Sequence, residues 1–213
     1  MEFLITFLNG LSLGGIYAMI ALGYTMVYGI AKMLNFAHGD IIMVGGYTIL
    51  LFLPINPIVA IIASIIFCII LGVVIERVAY KPLRGSSPLA VLITAIGVSY
   101  LLQSVAQISF GSAPRFAIIA DLGKLTLSEK LSIDYATIIT LVCSIVIMLA
   151  LNVFVKYTRT GRAMVAVSED KGAAQLMGVN VNSIIMITFA IGSALAAVAN
   201  VIIIIEFTLT PIS

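Results

Sequence analysis

Five stretches of this chain, at about 4–30, 57–75, 89–110, 136–155 and 184–205, are apolar over the length a helix needs to cross a bilayer. Nothing else in the sequence constrains the fold so tightly. Backbone inside hydrocarbon has to satisfy its own N–H and C=O groups, so such runs fold as spanning helices. A shorter run, about 41–53, ends at Leu53-Pro54-Ile55-Asn56-Pro57. It is a sixth span if it begins near Phe36 and a re-entrant segment otherwise; we take the span. At 62% hydrophobic and 9% charged residues, no soluble core of this size absorbs the apolar surface. The first run continues from Met1-Glu2-Phe3 with no basic leader and no small-residue cleavage site, so it is a spanning helix and not a signal peptide. The expected fold is therefore all-α, a polytopic bundle of about six transmembrane helices in one domain, 1–213.

Lysine and arginine orient the bundle. With six alternating spans, the connections at 31–40, 76–88 and 156–183 share a side, which holds Lys32, Arg77, Lys81, Arg84, Lys156, Arg159, Arg162 and Lys171. The opposite side has Arg115, Lys124 and Lys130, offset by Asp121, Glu129 and Asp134. Basic connections stay in the cytoplasm, so both ends face outward. The outer segment 111–135 is polar enough for a loop with a short helix or hairpin. The near-zero net charge of +2 gives no sign of nucleic-acid binding.

The longest cytoplasmic connection is TRTGRAMVAVSEDKGAAQLMGVN, 158–180. Ser168 is placed to cap a short helix near 169–177, with Glu169 and Asp170 in its first turn, where the helix dipole favours anions. Gly178 offers the left-handed residue that ends such a helix. Ala173, Leu176 and Met177 fall at i, i+3 and i+4 and make a small apolar face. That face lies on lipid or docks into another protein.

Polar residues inside the apolar runs have two readings each. Asn35, His38 and Asp40, in LNFAHGD, form a proton relay or gate at the membrane boundary, or simply a polar turn capping the next helix. Gln103 and Gln107, one turn apart and joined by Ser99 and Ser104, line a substrate path or glue helices together. Asn9, Asn200 and Glu206 divide the same way. Small residues at four-residue spacing, Gly10-Gly14-Ala18 and Ala21-Thr25-Gly29 in the first run and Gly192-Ala196 in the last, predict close helix packing. His38 is the single histidine, which leaves no histidine cluster for a metal, and Cys68 and Cys143 sit in apolar runs as small buried hydrophobes. No phosphate-binding loop, nucleophile elbow or zinc-protease motif occurs, so no enzyme activity and no cofactor is expected.

LNFAHGDIIMVGGYTIL (34–50), ERVAYKPLRGSSPLAVLITAIGVSYLLQ (76–103) and TGRAMVAVSEDKGAAQLMGVNV (160–181) together resemble the permease subunits of branched-chain amino acid ABC importers. The resemblance covers about 2–199 and implies that the loop at 158–180 is the cytoplasmic coupling helix that docks on a separate ATPase. Ala173, Ala174 and Gly178 match the Ala-Ala and Gly of the coupling motif, and Arg162, beside Gly161, matches the basic residue leading into it. It implies a set of partners: ATPase subunits, a second permease subunit and an extracytoplasmic substrate-binding protein, assembled in a bacterial or archaeal cytoplasmic membrane. Family members continue past Ser213, so the chain is expected to be C-terminally truncated, and Asn200 stands where a glycine is usual. Permeases for urea and short amides share these motifs, and a stand-alone secondary transporter or channel is the rival from outside the class.

Overall fold

The computed structural model describes residues 2–113, 124–128 and 131–208. Its elements are α1 (Glu2–Ala31), α2 (His38–Phe52), α3 (Pro57–Ile75), α4 (Pro88–Phe110), a hairpin of β1 (Lys124–Ser128) and β2 (Leu131–Asp134), α5 (Tyr135–Tyr157), α6 (Arg159–Glu169), α7 (Lys171–Leu176) and α8 (Val181–Thr208). The hairpin is antiparallel and supplies the structure expected within 111–135. Arg115, Asp121, Glu129 and Lys130 lie outside the described residues, as do the side chains of Lys124, Asp134 and Glu206. Apart from the hairpin the fold is all-α, and among the described residues five helices have the length and apolarity to cross a membrane.

The bundle is built on small residues and clothed in large ones, the reverse of a soluble protein. On α3, Ala60, Ser64, Cys68 and Gly72 recur every four residues and are buried, whereas Ile62, Ile66, Ile70 and Val74 recur at the same spacing and are about half exposed. Lipid tails are as apolar as isoleucine, so helices in a membrane associate through close backbone approach and not through burial of bulk. At Gly72 a methyl group would collide with Ser193 of α8. Helix α8 is the centre of the bundle: it packs against α1, α2, α3 and α5, and Ala196, Ala197 and Ala199 are fully covered.

Helix α1 buries Ser12, Ile16, Met19, Gly23, Val27 and Ile30, a different face from that expected. Gly10, Gly14 and Gly29 have open space where a side chain would go, and Ala18, Ala21 and Thr25 are exposed. The close approaches are instead at Gly15, against Ser144 of α5, and at Gly23, against Gly192 of α8. Spacing alone identified small residues but not which of two glycine lines faces the bundle. Gly192 and Ala196 of α8 do pack inward.

The run at 41–53 resolves in a way that combines both alternatives. Only 15 residues, His38–Phe52, are helical. Cys68 Sγ donates to the Ile41 carbonyl (3.5 Å) and Ser64 Oγ to that of Gly45 (3.0 Å), so α2 runs antiparallel to α3 and its first residue is level with the Gly72 region. His38 packs on Gly23, eight residues before the end of α1. At 1.5 Å per residue this is roughly 12 Å inside the bundle. The segment therefore crosses as a short helix in the outer part, entered by non-helical chain, 32–37, in the inner part. Such backbone is tolerated at membrane depth where protein covers it. Met33, Asn35 and Ala37 are all buried.

Candidate functional site

The three basic connections meet at one end of the bundle. Helix α3 does not stop at Ile75 but passes through a π-helical turn, Glu76–Tyr80, and a tight 3-10 turn, Lys81–Leu83. The wider turn swings the fully buried Tyr80 inward, where its ring packs on Phe189 of α8. The Tyr80 hydroxyl donates to the Leu34 carbonyl (3.2 Å) and shares its proton with Asn35 Oδ1 (3.1 Å). Glu76, 2% exposed, is paired with Arg84, and Arg84 also reaches Asn182 at the start of α8. A buried carboxylate at this depth needs that cation, since either charge alone is strongly destabilising. Sequence reasoning treated Arg84 only as a topology signal. The acidic Glu76 placed directly after an apolar span, with arginine eight residues on, was the available clue.

The loop at 158–180 is two helices, not one. Thr158 caps α6: its Oγ1 accepts from Gly161 N (2.9 Å) and donates to the Phe154 carbonyl (2.7 Å), turning the chain sharply out of α5. Gly161 is obligatory at this corner, because a side chain would strike the backbone of Phe154 and Val155. Gly161, Met164 and Val167 face the bundle, while Arg162 and Glu169 are exposed. Ser168 does not cap the next helix; it sits in the last turn of α6 and donates to Val165. Asp170 is the cap of α7, its Oδ1 accepting from Gly172 N (2.7 Å) and Ala173 N (3.0 Å). Aspartate competes with serine for this role, and its position one residue before Lys171-Gly172 lets one oxygen accept both amides. Glu169 thus ends α6 and is not in the first turn of α7. Gly178, at φ +84°, ends the turn as expected, with its N–H on the Gln175 carbonyl and that of Val179 on Ala174.

Helix α7 presents two different faces. Ala174 is 4% exposed and packs in the same core as Met164, Val167 and Ile185. Ala174 thus packs inward on this chain, while Ala173, expected beside it in the coupling motif, faces outward. Leu176 and Met177 are 91% and 84% exposed, with Ala173 beside them. Lys171 Nζ donates to the carbonyl of Ala31 (2.8 Å), the last residue of α1. Burial, together with the Arg84 and Lys32 cations nearby, holds the Lys171 ammonium below its ordinary pKa.

Asn35, His38 and Asp40 are buried inside the bundle, at 2%, 3% and 6% exposure. His38 packs edge-on to Tyr24, and its Nε2 has no partner within the chain. Asp40 Oδ1 accepts from Gln103 Nε2 (2.9 Å), and its Oδ2 is unpartnered. Asp40 lies in the first turn of α2, where the helix dipole offsets part of the cost of a carboxylate at this depth. Gln103 also bonds Ser99 (3.2 Å). Gln107 turns away, donating to Ser112 (3.0 Å) past the end of α4, and Asn9 is exposed on α1. Of the three residues suggested for a translocation path, only Gln103 meets the buried polar cluster. Asn200 faces Gly45 and Gly46 of α2, with its Nδ2 unpartnered. Among the described residues no group of acidic, histidine and cysteine side chains is arranged to hold a metal ion.

Residues 6–213 match the family described as the permease component of the branched-chain amino acid transport system. The chain is 42% identical over 209 residues to the high-affinity branched-chain amino acid transport system permease protein BraD of Pseudomonas aeruginosa, covering 91% of this chain and 68% of that protein. It is 40% identical over 217 residues to the permease protein LivH of the corresponding system of Salmonella typhimurium and 39% identical to that of Escherichia coli, covering in each case 94% of this chain and 70% of the relative. No solved structure matches the chain.

Proposed function

The chain belongs to the branched-chain amino acid transport permease family, and from that premise we propose that it carries leucine, isoleucine and valine across the cytoplasmic membrane as one subunit of an ATP-driven importer. Hydrolysis is supplied by separate ATPase subunits, a second permease subunit completes the pathway, and an extracytoplasmic binding protein delivers substrate. The observation that carries this reading is the identity of about two residues in five to BraD and LivH over nine-tenths of the chain. The geometry supports it: a 6-residue helix at the basic end shows two nearly bare apolar side chains, Leu176 and Met177, on the side away from the bundle.

Movement of α7 has a short physical route into the membrane. Lys171 holds the last carbonyl of α1, and the chain then runs through the Tyr80-bonded Leu34 and Asn35 to the start of α2. Displacing α7 when an ATPase closes therefore pulls on the buried segment that positions His38 and Asp40. The Asp40–Gln103 hydrogen bond carries that shift to α4, and ATPase closure thereby exchanges inward-open for outward-open populations.

Uptake of labelled leucine in cells lacking their own system tests the reading. Co-expression with the ATPase, second-permease and binding-protein subunits of such a system should give accumulation that unlabelled isoleucine and valine suppress and urea does not. Accumulation that persists when the ATPase is omitted would assign the chain to stand-alone transport instead.

A further inference from the structure

A cavity of about 600 Å³ opens at the basic end of the bundle, between the last turn of α1, the first turns of α4 and α8, and Lys171. Its polar wall carries Lys32, Arg84 and Lys171, and its accessible apolar lining includes Tyr28, Leu83, Leu92 and Val181. One carboxylate, Glu76, is engaged by Arg84, which leaves two cations without an ionic partner among the described residues. Arg84 Nε is buried and unpartnered as well. The first turn of α4 adds the positive end of a 23-residue helix, capped by Ser87. The depressed pKa of Lys171, caused by burial and by its two cationic neighbours, reports the same uncompensated charge.

We propose that this cavity binds one anionic phospholipid, with the phosphodiester head group on Lys32, Arg84 and Lys171 and the acyl chains along Tyr28, Leu83 and Leu92. The amphipathic lining selects this occupant. A free phosphate ion would use the cations and leave the apolar wall empty, whereas a neutral lipid would leave the cations unneutralised. Lys32 and Arg84 flank spanning helices and Lys171 begins α7 on the same basic side, where head groups lie and where each lysine or arginine near anionic lipid contributes attraction. The bound lipid brings a negative group to Lys171, the residue that joins α7 to α1, so occupancy stiffens that junction. The site stands independently of which substrate is carried.

Native mass spectrometry of the purified full chain, titrated with phosphatidylglycerol or phosphatidylcholine, tests it. One phosphatidylglycerol should be retained at least tenfold more tightly than phosphatidylcholine. Lys32→Gln with Lys171→Gln should weaken phosphatidylglycerol roughly 25-fold, about fivefold for each cation removed, while Lys156→Gln with Arg159→Gln leaves it unchanged. Leu92→Trp, which fills the apolar wall and keeps every charge, should lower occupancy too, so the test survives poor folding of the charge variant. Equal retention of the two lipids, or full retention by both cavity variants, would overturn the proposal. Displacement of the lipid by millimolar inorganic phosphate would mark a free-anion site, and displacement by added ATPase would mark a docking site for an acidic protein side chain. Either result would refute the lipid assignment.

Discussion

The two faces of α7 make opposite demands on a substitution, and that contrast tests the coupling proposal directly. Leu176 and Met177 are 91% and 84% exposed, so almost all of their apolar surface remains to be buried by a partner. Burying a side chain of this size contributes about 1.5 to 3 kcal/mol. Together they are worth roughly 3 to 6 kcal/mol of docking free energy, or about two to four decades in affinity. Leu176→Ser with Met177→Ser should therefore weaken binding of the ATPase subunit by about a hundredfold or more. The permease itself should melt at an unchanged temperature, since neither side chain touches its core.

Ala174→Glu should do the reverse. Ala174 is 4% exposed within the core shared by Met164, Val167 and Ile185. A glutamate there overfills the site and brings in an unpaired charge, costing the fold more than about 3 kcal/mol. The assay is a binding titration of purified ATPase on the nanodisc-embedded permease, run beside a thermal melt of each variant. Normal ATPase affinity in the Leu176/Met177 double variant would end the claim that this face docks. An unshifted melting temperature for Ala174→Glu would show that the inward packing of α7 is wrong.

Other outcomes follow from the same geometry. Gly161→Ala should cost at least about 2 kcal/mol, read as a lowered melting temperature, because its methyl meets the backbone of Phe154 and Val155 and backbone yields little. Lys171→Met should preserve ATPase binding yet lower uptake per ATP hydrolysed, since it cuts the bond to Ala31 without touching Leu176; unchanged coupling would discard the route through α1. Gln103→Leu should lower uptake several-fold with little loss of expression, because it strips Asp40 of its hydrogen bond. In a background free of Cys68 and Cys143, Ser86→Cys should react with an impermeant thiol reagent from the cytoplasmic side and Ser128→Cys from the outside, and the opposite pattern would invert the topology.

The helical spans were legible because length and apolarity alone decide them in a membrane. The common end of the basic connections was legible for a related reason: charge placement is set by the membrane and not by detailed packing. What escaped were features that depend on which neighbour a residue meets. Composition could not show that α2 starts at His38 deep in the bundle, because LNFAHGD has the make-up of a boundary turn. Its buried position comes from Tyr80 binding Leu34 and Asn35, and that contact needs a π-turn that no periodicity announces. The cap of α7 failed for a local reason. Ser168 and Asp170 are both good caps, and α6 extends far enough to use up Ser168. The inward packing of Ala174 was not legible because a 6-residue helix packed on a larger body has an inner face, and the family motif does not say which of two alanines occupies it.

Two surfaces of the described chain are inverted with respect to the solvent each one meets. Helix α4 runs through the apolar zone and exposes Gln103, Ser104 and Gln107 there, and it is held to α2 mainly by the Asp40–Gln103 bond and by stacking of Phe110 on Tyr47, with ring centroids 4.2 Å apart. Amides facing hydrocarbon leave donors and acceptors unsatisfied. Helix α7, at the aqueous end, exposes Leu176 and Met177, where water penalises apolar area. Lipid alone would select apolar residues on α4, and water alone would select polar ones on α7. The proposed assembly relieves both mismatches, because polar groups in the membrane find partners across an interface and apolar groups at the aqueous end find a groove. The opposite signs of the two mismatches also separate the partners they call for. On the proposed reading the first is covered by protein within the membrane and the second by protein outside it.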